Sequence, residues 1–192
     1  MKDNGKTPKF KVMKVTAERW DDFENLFGAR GSPNYCWCMA WRAEQKDLRS
    51  KSGSGRKILM EQRIREGVPV GLLGYLGEEP VAWCSVAPFN TFHGLRKTGE
   101  AEETEKIWSI TCFFVRREHR GTGLAMQMLA AAVHHARKRG ARLAEGYAVD
   151  PGSPSYRHMG FVSLFREAGF TEVAHEGTRR HVMQLRLGKP RK

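Results

Sequence analysis

The clearest pattern of apolar positions lies in the middle of the chain. Residues 107–115 are apolar, β-branched or aromatic almost without a break, which predicts a strand covered on both faces. Apolar residues then recur with helical spacing from Leu124 to Ala136, and Gly140 predicts the end of that helix. A second strand is predicted at 142–149. These three elements form a βαβ unit, whose right-handed crossover makes the two strands parallel.

Short helices and strands are predicted in the rest of the chain. Helices are expected in three places: from Ala17 to about Phe27, at 57–66 and at 161–168. Strands are expected near 10–15, at 70–75 and 81–86 as one hairpin, and at 171–174 and 181–187 as another. The mixture predicts a single α/β domain.

The segment RGTGLA, residues 120–125, joins the central strand to its helix. Amides in the first turn of a helix have no partner within that helix, and the helix dipole adds partial positive charge there, so this junction predicts an anion site. It is not a phosphate loop of the Walker type, which ends in Gly-Lys-Ser/Thr. It also lacks the third glycine of the dinucleotide-binding fingerprint, because that position is Met126.

The pattern Arg120-x-x-Gly123-x-Ala125, after a strand ending in Val115, resembles the acyl-CoA loop of the GNAT superfamily of N-acyltransferases. The segment GEEPVAWCSV at 77–86 is similar to that family's second and third strands. The segment LFREAGF at 164–170 is similar to its Leu-Tyr-x-x-x-Gly-Phe signature. The resemblance implies a GNAT-like fold: a twisted mixed sheet of about six to seven strands, about four flanking helices, and a splayed parallel strand pair at the cofactor site.

The resemblance also implies acetyl-CoA as the co-substrate. The loop amides would hold its pyrophosphate, and the backbone of the first parallel strand would bond to the pantetheine arm in the gap between the strands. The implied cofactor-binding residues are Phe113, Val115, Arg120, Gly121, Thr122, Gly123, Leu124 and Ala125.

The segment NYCWCMAW, residues 34–41, combines aromatic and sulfur side chains. In the resembled family this part of the chain overhangs the acceptor pocket, which would make Trp37 and Trp41 walls of that pocket. Packing of the same side chains in the core is an equal alternative. A metal site is disfavoured, because Cys36 and Cys38 lack the usual two-residue spacer and have no second ligand pair nearby.

The catalytic acid and base of the resembled family have no counterparts at the matching positions of this chain. Its frequent tyrosine acid is replaced here by Phe165, which has no proton to donate, and the place of a glutamate base in some members is Ser109. We therefore consider Tyr156 as the acid for the departing thiolate, and Glu145 or His158 as the base for the amine. A purely structural role remains an alternative for each.

Composition and charge narrow the function classes. The chain has 192 residues and a formal net charge of +12, which favours anionic partners such as coenzyme A. We expect basic tails at 1–9 and 188–192 around one domain at 10–187. No apolar run reaches the length of a membrane span, and four cysteines without a secretory segment favour reduced thiols and a cytoplasmic protein.

These patterns predict an N-acetyltransferase that acts on a primary amine by direct attack within a ternary complex. The acceptor, a small molecule or a peptide, is not specified, and a homodimer is left open. Two alternatives remain: an acyl-CoA-binding regulatory module with little catalysis, and a basic protein associated with nucleic acid or the ribosome. The second is disfavoured because the sequence shows no zinc finger, helix-turn-helix or RNA-recognition motif.

Overall fold

One sheet of seven strands organises the protein in the computed structural model, which describes residues 8–44, 46–47, 52–95 and 106–188. The strands are β1 (Phe10–Lys14), β2 (Leu72–Leu76), β3 (Glu79–Pro88), β4 (Ile107–Val115), β5 (Leu143–Ala148), β6 (Thr171–Glu176) and β7 (Arg180–Arg186). The helices are α1 (Trp20–Gly28), α2 (Gly53–Arg65), α3 (Leu124–Lys138) and α4 (Val162–Glu167). The two predicted basic tails lie largely outside the described residues.

The strand order is β1-β2-β3-β4-β5-β7-β6. Among the described strands, β4 and β5 form the parallel pair, and the other neighbours run antiparallel. The predicted βαβ unit is therefore confirmed, with α3 as its crossover. The mixed sheet and the four helices named above, within the described residues, match the predicted GNAT-like fold.

The parallel pair separates halfway along β4. Its ladder with β5 runs only from Ile107, opposite Leu143, to Ile110, opposite Gly146. On its other side, β4 remains paired with β3 as far as Val115. The β3–β4 register shifts beside Thr111, which makes that residue the extra one of a bulge, and a bulge bends the strand that carries it. Residues 111–115 thus have no partner strand on the β5 side.

Helices cover both faces of the sheet. The buried residues of α3 repeat the predicted apolar stripe and pack against the β3–β5 face; they are Leu124, Met128, Leu129, Ala132 and Ala136. Helices α1 and α2 cover the opposite face, where Phe23 and Phe27 pack edge-on against the ring of Trp83.

In the described part of the chain, no helix has the length and apolar character needed to cross a membrane.

Two helices start three or four residues away from their predicted first residue. The helix expected from Ala17 opens with a single 3-10 turn, and its α-helical part starts at Trp20. Helix α2 starts at Gly53, four residues before the predicted 57, although glycine and serine favour loops. Glycine is required at this start, because a Cβ at Gly53 would lie 2.9 Å from the Asn34 carbonyl oxygen.

The packing of α4 on β5 depends on the absence of a side chain at Gly146. A Cβ at this position would lie 2.2 Å from the ring of Phe165, so the ring packs directly on the strand backbone. We predict that Gly146→Ala lowers the free energy of unfolding by about 1–3 kcal/mol through overpacking, measured by urea denaturation.

Gly28→Ala is the matched control. A Cβ there meets nothing within 4 Å, and the residue ends a helix, so its stability should stay the same or rise. Equal stability of wild type and Gly146→Ala would contradict the packing described.

Candidate active site

The loop between β4 and α3 has the geometry of an anion site. Gly121 and Gly123 have φ values of +78° and +79°, which L side chains rarely adopt, although a Cβ at either meets nothing within 4 Å. The first helical hydrogen bond runs from the Gln127 N–H to the Gly123 carbonyl oxygen, at 3.2 Å. The amides of residues 124–126 precede this bond, so they are the N–H groups that a helix leaves for an anion.

Two side chains brace this loop. Arg120 donates from Nε to the Val115 carbonyl oxygen at 3.0 Å, which holds its guanidinium at the end of β4. Thr122 donates its hydroxyl to the His119 carbonyl oxygen at 2.6 Å. The loop is therefore fixed to the strand whose far half has lost β5 as a partner.

A cavity of about 340 Å³ adjoins that half of β4. Its floor includes Phe113, one of the predicted cofactor-binding residues, and His158, one of the candidate bases. The full lining is Pro33, Tyr35, Cys36, Ala40, Arg56, Cys112, Phe113, Phe114 and His158. Most of these side chains are apolar.

Tyr156, His158 and Trp41 come together beside this cavity. The Tyr156 ring lies 6.1 Å from the Trp41 ring and 6.4 Å from the His158 ring. The Arg180 guanidinium covers both Trp41, at 4.6 Å, and Tyr156, at 5.3 Å. Tyr156 also has a left-handed backbone with φ +59°, and such strained residues are concentrated at functional sites.

The ring of His158 is in a state suited to accept a proton. Part of the residue is exposed, but partial desolvation of its ring by the surrounding protein lowers the pKa of His158 below its ordinary value. This shift favours the neutral imidazole, which is the form that can accept a proton.

Two predicted site residues lie elsewhere. Trp37 is only 6% exposed, and its ring stacks on those of Trp20 and Phe27, so it belongs to the core rather than to the cavity lining. Glu145 is 1% exposed, and its carboxylate accepts hydrogen bonds from the Tyr147 hydroxyl and from Gln184 Nε2. That carboxylate does not line the cavity that holds His158.

Arg42 is a buried cation that the sequence reasoning missed. The residue is 1% exposed. It donates to the hydroxyl of Ser85 at 2.9 Å, to the Val70 carbonyl oxygen at 2.5 Å, and to Cys38 at both its carbonyl oxygen and its sulfur. Its guanidinium also lies 4.4 Å from the centre of the Phe92 ring. The only sequence signal was its place directly after the aromatic and sulfur cluster at 34–41.

Cys38 is the ionisable partner of Arg42, whose Nη1 lies 3.5 Å from the Cys38 sulfur. The neighbouring Cys112 thiol and the charge of Arg42 lower the pKa of the Cys38 thiol, despite its burial. The same contact with Cys38, together with burial, raises the pKa of Cys112, whose thiol donates to the Phe113 carbonyl oxygen at 3.8 Å. The Cys38–Arg42 pair therefore adjoins Cys112, which forms part of the cavity wall.

The chain matches a known protein family over most of its length. The model described as the acetyltransferase (GNAT) family matches residues 14–170. The chain belongs to the GNAT acetyltransferase family. Membership of this family supports acyltransferase activity. It also agrees with the glycine loop and with the separated parallel strands described above.

Solved GNAT structures share the fold at low sequence identity. YncA of Salmonella typhimurium, solved with its cofactor acetyl-CoA, is 16% identical with a TM-score of 0.58, covering 96% of this chain and 97% of that chain. The PaiA N-acetyltransferase of Thermoplasma acidophilum, in complex with coenzyme A, is 12% identical with a TM-score of 0.55, covering 93% and 99%. A ribosomal-protein-alanine N-acetyltransferase of Brucella melitensis is 19% identical with a TM-score of 0.55, covering 92% and 99%. No curated protein gives a significant match.

The Cys38–Arg42 pair predicts a thiolate at neutral pH. We expect the ultraviolet absorbance of the protein to show one thiolate that titrates below the ordinary range of cysteine, and Cys38→Ser to abolish it. Arg42→Gln should move this titration upward by about 1–3 pH units, because the opposite charge is removed.

Cys84→Ser is the control for this titration, since burial raises the pKa of the Cys84 thiol and the residue stays protonated. A thiolate signal that persists in Cys38→Ser would contradict the assignment.

Proposed function

We propose that this GNAT-family protein is an acetyl-CoA-dependent N-acetyltransferase that transfers the acetyl group to a primary amine by direct attack. This proposal rests mainly on two features that lie next to each other. The loop at 120–125 offers amides for a diphosphate, and residues 111–115 of β4 offer a strand edge without a partner strand beside it. An extended ligand with an anionic group near its middle fits that arrangement.

The residues present fit acetyl-CoA. The amides of Gly121 to Ala125 and the guanidinium of Arg120 are suited to its pyrophosphate, since both charge-assisted and helix-end donors bind phosphate well. Along the gap, the backbone of Phe113 and Val115 is suited to the amide groups of the pantetheine arm. The complexes of YncA with acetyl-CoA and of the PaiA enzyme with coenzyme A support this choice.

An N–H of the β4 edge would then face the thioester oxygen. Negative charge develops on that oxygen when the amine attacks, and a fixed donor stabilises it. The amine is held next to the thioester in the same cavity, so positioning supplies much of the rate.

His158 and Tyr156 are the proton carriers in this proposal. The neutral His158 imidazole accepts the proton of the attacking amine, directly or through a water molecule, and Tyr156 donates a proton to the departing thiolate. The closeness of their rings supports this assignment. Glu145 takes no part, because its carboxylate is buried between Tyr147 and Gln184.

The cavity lining favours an acceptor with an apolar group close to its amine. No carboxylate occurs among the described lining residues, whose polar side chains include Arg56 and His158. A polycation gains nothing from such a lining, whereas an apolar amine, such as an aromatic amino acid or an N-terminal residue of a peptide, fits it. We therefore expect faster turnover with apolar amines than with spermidine or aminoglycosides.

A second candidate function is an acyl-CoA-binding module with little catalysis. Phe165 favours it, because its buried ring packs on Gly146 and supplies no hydroxyl at the position of the family's usual tyrosine. Release of free coenzyme A with a panel of amines separates the two functions. Tight acetyl-CoA binding without turnover would support the module.

Calorimetric titration with acetyl-CoA tests the cofactor site. Gly123→Asp should weaken binding by roughly 100-fold or more, because it places a carboxylate where the phosphates bind and strains the loop. Gly177→Asp is the matched control, since Gly177 has φ +66°, open surroundings and a place in the β6–β7 turn. Equal loss in both variants, or no loss in Gly123→Asp, would contradict the placement.

The pH dependence of turnover tests His158. Because its pKa is lowered, the reactive neutral form should persist below pH 6.5, and kcat/KM should fall only at more acidic values. His158→Asn should remove this acidic limb and reduce kcat by about 10²–10⁴-fold. His93→Asn, at an exposed position outside the cavity lining, is the control. An unchanged profile in His158→Asn would exclude His158 as the base.

A further inference from the structure

Two histidines and a glutamate converge on the β6–β7 edge of the sheet. His175 Nε2 lies 2.8 Å from Glu172 Oε1, and His181 Nδ1 lies 2.9 Å from the same oxygen. The three donor atoms all lie within 4.8 Å of one another. This group is separate from the cavity and from the glycine loop described above.

A bulge in β6 creates this convergence. Glu172 and His175 are three positions apart, so in a regular strand they would point to opposite faces. The ladder pairs Glu172 with Met183 and Ala174 with Val182, which leaves residue 173 as the extra one. The bulge turns Glu172 to the face of His175, which lies directly opposite His181.

Outer contacts orient the ligands. The other ring nitrogen of His181, Nε2, lies 3.2 Å from Asp150 Oδ2, the carboxylate contact that typically fixes a metal-binding imidazole. Glu172 uses its second oxygen to accept from Arg166 Nη2 at 3.1 Å, which leaves Oε1 facing the two imidazoles. These contacts hold both side chains in place before any ion binds.

We propose that Glu172, His175 and His181 bind a divalent transition ion of the zinc class. Two imidazole nitrogens and one carboxylate oxygen are the donor set that zinc accepts, with a fourth position left for water. Bonds of about 2.0–2.2 Å place tetrahedral ligand atoms roughly 3.3–3.6 Å apart. The two histidine–glutamate distances, 2.8 Å and 2.9 Å, would need to open by about half an ångström, and the two imidazole nitrogens, within 4.8 Å of each other, would need to reach the same spacing. His175 is 53% exposed in its side chain, which gives the ion a path from solvent.

A metal ion bound at this site would link three segments of the chain. The ligands join β6 to β7, and the contact between His181 and Asp150 extends the link to the segment that follows β5. That segment leads to Tyr156 and His158 at the cavity. The proposal depends only on these residues and not on the proposed acetyl transfer.

Zinc titration of the full chain without a histidine tag tests the proposal. A chromophoric chelator competing for Zn²⁺ should report one bound equivalent, Co²⁺ should give the visible absorption of a low-symmetry site, and zinc should raise the melting temperature. His175→Ala, at the most exposed ligand, should weaken zinc binding at least tenfold and abolish both effects.

Two further variants make the outcome decisive. His134→Ala removes an exposed histidine on α3 and should leave zinc affinity unchanged. Glu172→Gln should weaken binding while circular dichroism shows a folded chain. Either equal affinity in wild type, His175→Ala and Glu172→Gln, or no saturable site in wild type, would overturn the proposal and leave the cluster as an ion-pair network.

Discussion

The structure depends on one constraint: β4 cannot pair with β5 beyond Ile110. The bulge at Thr111 bends β4 while its ladder to β3 continues to Val115. A strand edge without a partner is normally a liability, because its N–H and C=O groups need hydrogen bonds. Here the edge opens beside the glycine loop, so an extended ligand can complete it. The same break separates the two parallel strands and makes room for an acyl group.

The face of the sheet covered by α1 and α2 holds a polar pair that is unusual for a core. Arg42 links the connection after α1 to Val70 and Ser85, and it contacts Cys38, the pKa of which it lowers. Breaking a buried pair of this kind leaves an uncompensated charge, which is strongly destabilising. The pair therefore fixes the segment that contains Cys36 and Ala40, two residues of the cavity wall. The shape of the cavity beside β4 thus depends on the buried Cys38–Arg42 pair.

Local patterns predicted the elements well but not their tertiary contacts. The apolar spacing of α3 identified its five buried residues, because one helix face decides burial along the whole element. Trp37 could not be assigned to core or pocket, since an aromatic ring suits both. Burial of Glu145 and Arg42 was also beyond prediction, because ionisable residues are buried only when partners distant in sequence, such as Gln184 and Ser85, meet them. The Glu172 cluster depends on a bulge, which leaves no mark on hydrophobic periodicity.

The central claim is that acetyl-CoA binds with its diphosphate on the loop amides and its arm along β4. Amide chemical shifts of the ¹⁵N-labelled protein, followed during titration with coenzyme A, test this most directly. The account predicts the largest changes at Gly121 to Ala125 and at 111–115 of β4. Saturable binding that shifts amides elsewhere and leaves both segments unchanged would contradict it.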